Sequence, residues 1–270
     1  MNKKNFNQKW DIPNYKLVFY KKKKKDFLLV IPVINESYRL HFLLEKLNKL
    51  KIKNKVDIVI CDGGSTDDTI NINKFLSLKV DGLIIKKGKG KLSSQLRCAY
   101  SFGIKKNYKG IITIDGNGKD DPKMIFKIIS KLKKGYDFVQ ASRFLKGASH
   151  KNTPILRLLG IRLIHSPLLS LFSGFHWTDT TQGFRGYNSK ILIDNKVKPF
   201  RKIFNSYELL FYLSYITPKL GYKCCEIPSK RIYPKNFNPT KISFVKGNLS
   251  ILITLIKVCL GFYNPKNKHN

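Results

Sequence analysis

Acidic side chains are scarce in this chain of 270 residues: 17 Asp and Glu stand against 52 Lys and Arg, a formal net charge of +35. Such a surface selects anionic partners, and nucleic acid, an acidic lipid surface and phosphate-bearing small molecules all fit it. Part of the excess has a compositional origin, because Lys, Asn and Ile are abundant together, as in an A/T-biased coding sequence. Cysteine is also sparse. Cys61, Cys98, Cys224, Cys225 and Cys259 are odd in number and show neither CxxC spacing nor paired His, which argues against a disulfide framework and a zinc site and points to a reducing compartment. No 18 uncharged apolar residues occur in a row, so no segment is expected to span a membrane. A leader is not expected either: the apolar run after Lys21–Lys25 is interrupted by Pro32, ended by Asn35 and Glu36, and followed by no small-residue cleavage site. The expected location is cytoplasmic.

What is present is a globular pattern. Hydrophobic residues at 42% and aromatics at 12%, spread over the whole chain, exclude a disordered protein, a collagen-like fibre and a coiled coil. Residues 1–26 show no period and read as a basic, solvated tail. From Phe27, short apolar runs at 27–33, 56–61, 82–85, 111–115 and 138–141 alternate with helical patterns at 36–50, 67–78, 92–104 and 122–132. Unbroken apolar strands separated by helices predict an α/β fold with a mostly parallel sheet flanked by helices and buried on both faces. Ligands in such sheets sit at the carboxyl ends of the strands. Here those ends carry Asn35 and Glu36, then 62–67, then 115–121. Beyond residue 150 come an apolar and basic stretch at 154–175, a polar turn at 178–187, a helix near 206–220, a β-type segment near 224–233 and an apolar helix at 242–263.

Three motifs carry the chemistry: Ile31-Pro-Val-Ile-Asn-Glu36, Cys61-Asp-Gly-Gly-Ser-Thr-Asp67 and Ile114-Asp-Gly-Asn-Gly-Lys-Asp-Asp-Pro122. Together they resemble the family 2 glycosyltransferases, whose fold is called GT-A (Rossmann-like). Asp179-Thr-Thr-Gln-Gly-Phe-Arg-Gly-Tyr187, and Glu226-Ile-Pro with Arg231-Ile-Tyr233 behind it, resemble the dolichol- and polyprenyl-phosphate sugar synthases within that family. The resemblance spans 27–241 and implies a glycosyltransferase domain there, a basic tail at 1–26 and a C-terminal amphipathic helical extension at 242–270.

It implies an inverting transfer of a sugar from a nucleoside-diphosphate donor to a polyprenyl phosphate. Donor contacts fall to Pro32, Asn35, Glu36, Asp62, Lys91 and Asp115; acceptor-only carboxylates suit ribose hydroxyls and base N–H groups. Mg²⁺ or Mn²⁺ on the diphosphate would be held by Asp115 with Asn117, and here the sequence departs from the family, whose Asp-x-Asp reads Asp115-Gly-Asn117. Asn117 brings an amide oxygen but no charge, so metal affinity should be weaker unless Asp120 or Asp121 compensates. Arg143 and Arg231 match cations near the reacting phosphates, with Lys241 as a companion; guanidinium forks suit phosphate oxygens. Lys89 and Lys91 sit in a Gly-rich stretch that is a weak signal. Asp67 reads better as a helix cap than as a ligand.

Two rivals remain open. A saccharide-hydroxyl acceptor, as in surface polysaccharide synthesis, would need a base, for which Asp179 or Glu208 is the candidate, although bracing the turn through Arg185 is an equal reading of Asp179 and a structural role the better one for Glu208. A non-catalytic basic protein binding nucleic acid or acidic lipid is the other, and no helix-turn-helix, zinc finger or RNP motif supports specific nucleic-acid binding. The five His have no motif around them. Wound as a helix, 242–263 gathers Lys246, Ser250 and Lys257 on one face against an apolar side. With 154–175 it is expected to lie in an anionic membrane surface, peripheral at the inner face, without being long or clean enough to span it.

Overall fold

A computed structural model describes residues 10–234 and 246–266. The chain begins with β1 (Tyr15–Tyr20) and β2 (Phe27–Val33), then α1 (Ser37–Lys49), β3 (Val56–Asp62), α2 (Ile72–Ser77), β4 (Gly82–Lys86) and α3 (Leu92–Lys105). Next come β5 (Gly110–Thr113), α4 (Met124–Lys133), β6 (Phe138–Ser142) and a short β7 (Ser149–Lys151). A continuous helical stretch is built from α5 (Ile155–Leu159), a π-helical segment (Gly160–His165) and α6 (Ser166–Ser173). The remainder is β8 (Arg185–Asn188), α7 (Ser189–Ile193), α8 (Glu208–Lys219), β9 (Cys224–Pro228), β10 (Lys230–Ile232) and α9 (Lys246–Cys259).

Eight strands form one sheet in the order β1-β4-β3-β2-β5-β8-β6-β9, and β10 pairs with β7 beside it. The four strands β4-β3-β2-β5 run parallel. Why β2 stands at the centre follows from its sequence: every residue of Phe27–Val33 is buried. Leu28 and Val30 join the core under α3 and α8, whereas Phe27, Leu29, Ile31 and Val33 join the core under α1 and α4. Successive side chains point to opposite faces, so only a strand covered on both sides tolerates such a run. From β2 the chain winds outward through β3 and β4, then returns to place β5 on the other flank. That reversal opens a crevice at the carboxyl ends of β2 and β5.

Four expectations are corrected. Part of the supposed tail is ordered: β1 pairs antiparallel with β4 and closes the sheet's edge. The polar turn expected at 178–187 ends in β8, a strand that runs antiparallel between β5 and β6. The second helix starts later than expected: Asn71 caps α2 by accepting the Lys74 N–H at 2.9 Å, while Asp67 accepts the Thr69 N–H at 3.0 Å. The stretch Ile155–Ser173 is, by length and composition, long and apolar enough to cross a membrane, with a mean hydropathy of 1.5 over its apolar window.

The last helix is divided. Leu255, Val258 and Cys259 of α9 are buried in the core that α8 also lines, while Leu249, Ile253, Ile256 and Leu260 stay exposed. The expected boundary at 241/242 and the Lys241 candidate lie outside the described residues.

Candidate active site

The crevice is a cavity of about 940 Å³. Its floor is the strand ends, with Pro32 near the end of β2 and Glu36 after it, Gly63 after β3, Lys86 at the end of β4, and Asp115 and Asn117 after β5. Gln95 of α3 ties the floor together: its buried amide donates to the carbonyls of Val33, at 2.8 Å, and Cys61. Side chains from α5, the π-helical segment and α9 complete the lining, among them Leu156, Ile161, Ile164, Leu249 and Leu252 together with Arg157 and His165. The cavity is therefore lined both by polar and cationic groups, most of them from the strand ends, and by aliphatic side chains from the helices.

Asp115 owes its position to close packing. The Ile114 N–H still donates to Val30 at 3.1 Å, continuing the register of β5 on β2. A Cβ on Gly183 would collide with the Asp115 carboxylate, so only glycine there leaves the carboxylate room. Arg231 approaches from β10, with Nη2 3.3 Å from Asp115 Oδ2 and Nη1 2.6 Å from Asp120 Oδ2. Asp120 also accepts from Gln182 Nε2 at 2.5 Å. Lys119 lies between them, buried, with its ammonium 4.4 Å from the centre of the Tyr233 ring. Burial, with Arg231 nearby, brings that ammonium down to about 8. Burial pushes the Tyr233 phenol up, but Arg231, Arg143 and Arg157 outweigh it and bring the group to about 7.

Arg143 forms the deepest ion pair, its Nε 2.6 Å from Asp179 Oδ2 with both side chains out of solvent. Asp179 is therefore braced by Arg143 and not, as expected, through Arg185, whose guanidinium instead donates to the carbonyls of Thr180, Gln182 and Leu210. The backbone around Asp179 is fixed by Glu226, which accepts the N–H groups of Thr178 at 2.9 Å and Asp179 at 3.0 Å. Burial drives the Glu226 carboxyl up to about 7, against those hydrogen bonds. Glu208 is spent at a helix start, accepting the N–H groups of Asn205 and Ser206 at 3.0 and 2.6 Å.

Of the residues expected in the site, Pro32, Glu36, Lys91, Asp115, Asn117, Arg143 and Arg231 line this one cavity. Asn35, Asp62 and Asp179 do not. Asp62 folds back on its own turn, accepting the Gly64 N–H at 2.8 Å and the Ser65 hydroxyl at 2.5 Å. Asn35, in a left-handed conformation that Asn tolerates, accepts the Thr66 N–H at 2.8 Å. Sequence reasoning passed over Lys86, Lys119, Arg157 and Tyr233, which also line the cavity. Lys119 had a signal: Asp115, Asn117 and Lys119 are spaced by two along one loop.

The donor set for Mg²⁺ or Mn²⁺ fits poorly. A nucleotide-bound ion of this kind needs one or two protein carboxylates beside phosphate oxygens and water, and here even that small set is depleted. Asp120 does not compensate for Asn117, because its carboxylate is committed to Arg231 and Gln182. The Asn117 amide oxygen accepts the Lys119 N–H at 3.2 Å. Asp115 is left as the one carboxylate of the expected pair, and it already faces a guanidinium.

The sequence model named glycosyl transferase family 2 matches residues 28–195, more than half of the chain. The chain belongs to glycosyl transferase family 2. Among curated relatives of this transferase, the UDP-N-acetylglucosamine–dolichyl-phosphate N-acetylglucosaminyltransferase of Methanococcus voltae is 27% identical over 239 residues, covering 81% of this chain and 88% of that one. The polyprenol monophosphomannose synthase of Mycolicibacterium smegmatis is 24% identical over 169 residues, covering 61% and 62%. In three dimensions the transferase is similar to glucosyl-3-phosphoglycerate synthase from Mycobacterium tuberculosis, solved with Mn²⁺, UDP and glucosyl-3-phosphoglycerate, with a TM-score of 0.62, 13% identity, and 89% of this chain and 81% of that one covered. The GT-A fold expected from the motifs is the fold observed.

Proposed function

We propose that this family 2 glycosyltransferase moves a sugar from a nucleoside-diphosphate donor to a polyprenyl phosphate at a membrane surface. The observation that carries this reading is the mixed lining of one cavity, where cations gathered at the strand ends share the space with aliphatic side chains from the helices. A sugar nucleotide suits the cationic groups, and a phosphate on an isoprenoid chain uses both kinds of lining. The names of the Methanococcus and Mycolicibacterium relatives support the same acceptor class.

Arg143 and Arg231 stand where the two phosphates would meet. Each is buried and lines the cavity, and each keeps one donor nitrogen (Nη1 of Arg143, Nε of Arg231) without a partner among the described residues. A buried N–H left unsatisfied costs about 1–3 kcal/mol, which phosphate oxygens would recover. In the reaction the acceptor oxygen attacks the anomeric carbon opposite the departing diphosphate. The new bond forms as the old carbon–oxygen bond breaks, and the nucleoside diphosphate leaves with the electron pair. Glu36 and Lys91 hold the donor, and Asp115 aligns the sugar end through its place beside Arg231.

A phosphate acceptor is already anionic and needs no strong base. This favours it over a saccharide hydroxyl, since both candidate bases, Asp179 and Glu208, are committed to other partners. Exposed apolar side chains on the same two helices, Leu163 at 68% and Leu249 at 56% among them, support placement in a lipid surface.

The test combines assay and flotation. With a panel of labelled nucleotide sugars and vesicles of phosphatidylglycerol holding polyprenyl phosphate, label should move into the lipid phase, and the protein should float with the vesicles and be released by salt. Transfer to a soluble glycan but not to polyprenyl phosphate would replace this acceptor with the saccharide.

A further inference from the structure

We infer that Lys119 takes the place of a divalent cation on the donor diphosphate, so that this chain binds its donor, and holds the leaving group, without metal. The inference rests on the donor assigned above and deepens it.

Lys119 is built into the site. It lies two residues beyond Asn117 and four beyond Asp115, and all three line the same cavity. Its loop is tied to β10 by backbone bonds on either side of the Arg231–Asp120 pair: Ile232 N–H donates to Lys119 at 2.9 Å and Asp121 N–H to Lys230 at 3.1 Å. The Tyr233 ring beneath the ammonium limits where the stem can go. Among the described residues no carboxylate lies within ion-pairing distance of the Lys119 ammonium, although Arg231 and Asp120 pair beside it. Its charge is therefore open to a ligand, and Arg231, Tyr233, Asp115 and Arg157 are the charged or titrating groups that face it.

The local charge also argues against a metal. An Asp at position 117 would have given this loop two carboxylates facing the cavity; instead Asn117 is neutral, Asp115 pairs with Arg231, and Lys119 adds a positive charge. A divalent ion beside Asp115 would face the Lys119 ammonium and the Arg231 guanidinium, and like charges close together in a partly buried site repel strongly. A diphosphate oxygen in the same place is attracted by both. As the bond between the anomeric carbon and the diphosphate oxygen breaks, the electron pair stays on that oxygen. A fixed ammonium stabilises the added charge with no proton moved and little reorganisation.

The experiment is calorimetric titration of the full chain with UDP and with GDP, in EDTA and in Mn²⁺, with thermal melts of each variant as a check on folding. Wild type should bind one of the two nucleotides with affinities that agree within about twofold in EDTA and in Mn²⁺. Lys119→Met should weaken that binding by roughly tenfold or more, the value of one charge-assisted contact. Asn117→Asp combined with Lys119→Gln should bind well only with Mn²⁺. A wild-type affinity that falls about tenfold in EDTA, or a Lys119→Met protein that melts and binds like wild type, overturns the inference and leaves the transferase reading standing. Absence of binding by either nucleotide under both conditions overturns the donor reading along with it.

Discussion

Gly183 shows how narrowly single residues set the chemistry. It carries no functional group, yet a methyl there would occupy the space of the Asp115 carboxylate. Gly183→Ala should move Asp115, costing about 1–3 kcal/mol of stability as overpacking does, and should reduce transfer far more than it lowers the melting temperature. Equal turnover in the variant would separate Asp115 from the reaction. Glu226 gives the residue scale a pH dependence. Its carboxyl rises from an ordinary 4.5 to about 7 because it is buried. Between those values the folded chain keeps a proton that the unfolded chain releases, so this group favours folding at the acid end and the benefit is lost as pH rises through about 7. Glu226→Gln cannot titrate. Melting temperatures of wild type and variant, followed from about pH 5 to about pH 8, should move in the variant's favour with rising pH; parallel curves would show the carboxyl is not shifted.

At the scale of elements, apolar runs located what they could. The five strands from β2 to β6 and the helices between them were legible because burial on both faces leaves an unbroken hydrophobic signature. β8 left none: Arg185-Gly-Tyr-Asn188 reads as a polar turn, and its arginine is wholly buried because carbonyls from three other residues satisfy it. Only tertiary context supplies those acceptors. β1 was hidden for the opposite reason, since an edge strand beside a lysine run needs no apolar pattern to pair. In the site, the motifs pointed to the loops correctly, but not to which side chains turn back into their own turns, as Asp62 does. The helical stretch Ile155–Ser173 keeps Ile155, Leu159 and Leu163 exposed at 64%, 45% and 68%, at intervals of four. Leu159→Gln with Leu163→Gln should change stability by no more than about 0.5 kcal/mol per site. The same pair should weaken vesicle binding by roughly tenfold or more, because each Leu would otherwise bury about 1.5–3 kcal/mol of apolar surface. Unchanged flotation would assign the lipid contact elsewhere.

For the whole molecule, the insertion of β8 sets the order in which the sheet can close. β5 pairs with β2 on one side, but its other side waits for residues 185–188, which lie more than seventy positions further along the chain. Until those residues are synthesised, Gly110-Ile-Ile-Thr113 presents an open row of backbone donors and acceptors on an apolar strand. Such a row is a template for pairing with another copy. The nascent protein is thus most prone to aggregation after its first strands have formed and before its fourth internal motif has left the ribosome. A fragment ending at residue 175 should collect in the pellet, and refolding yield of the full chain should fall as its concentration rises.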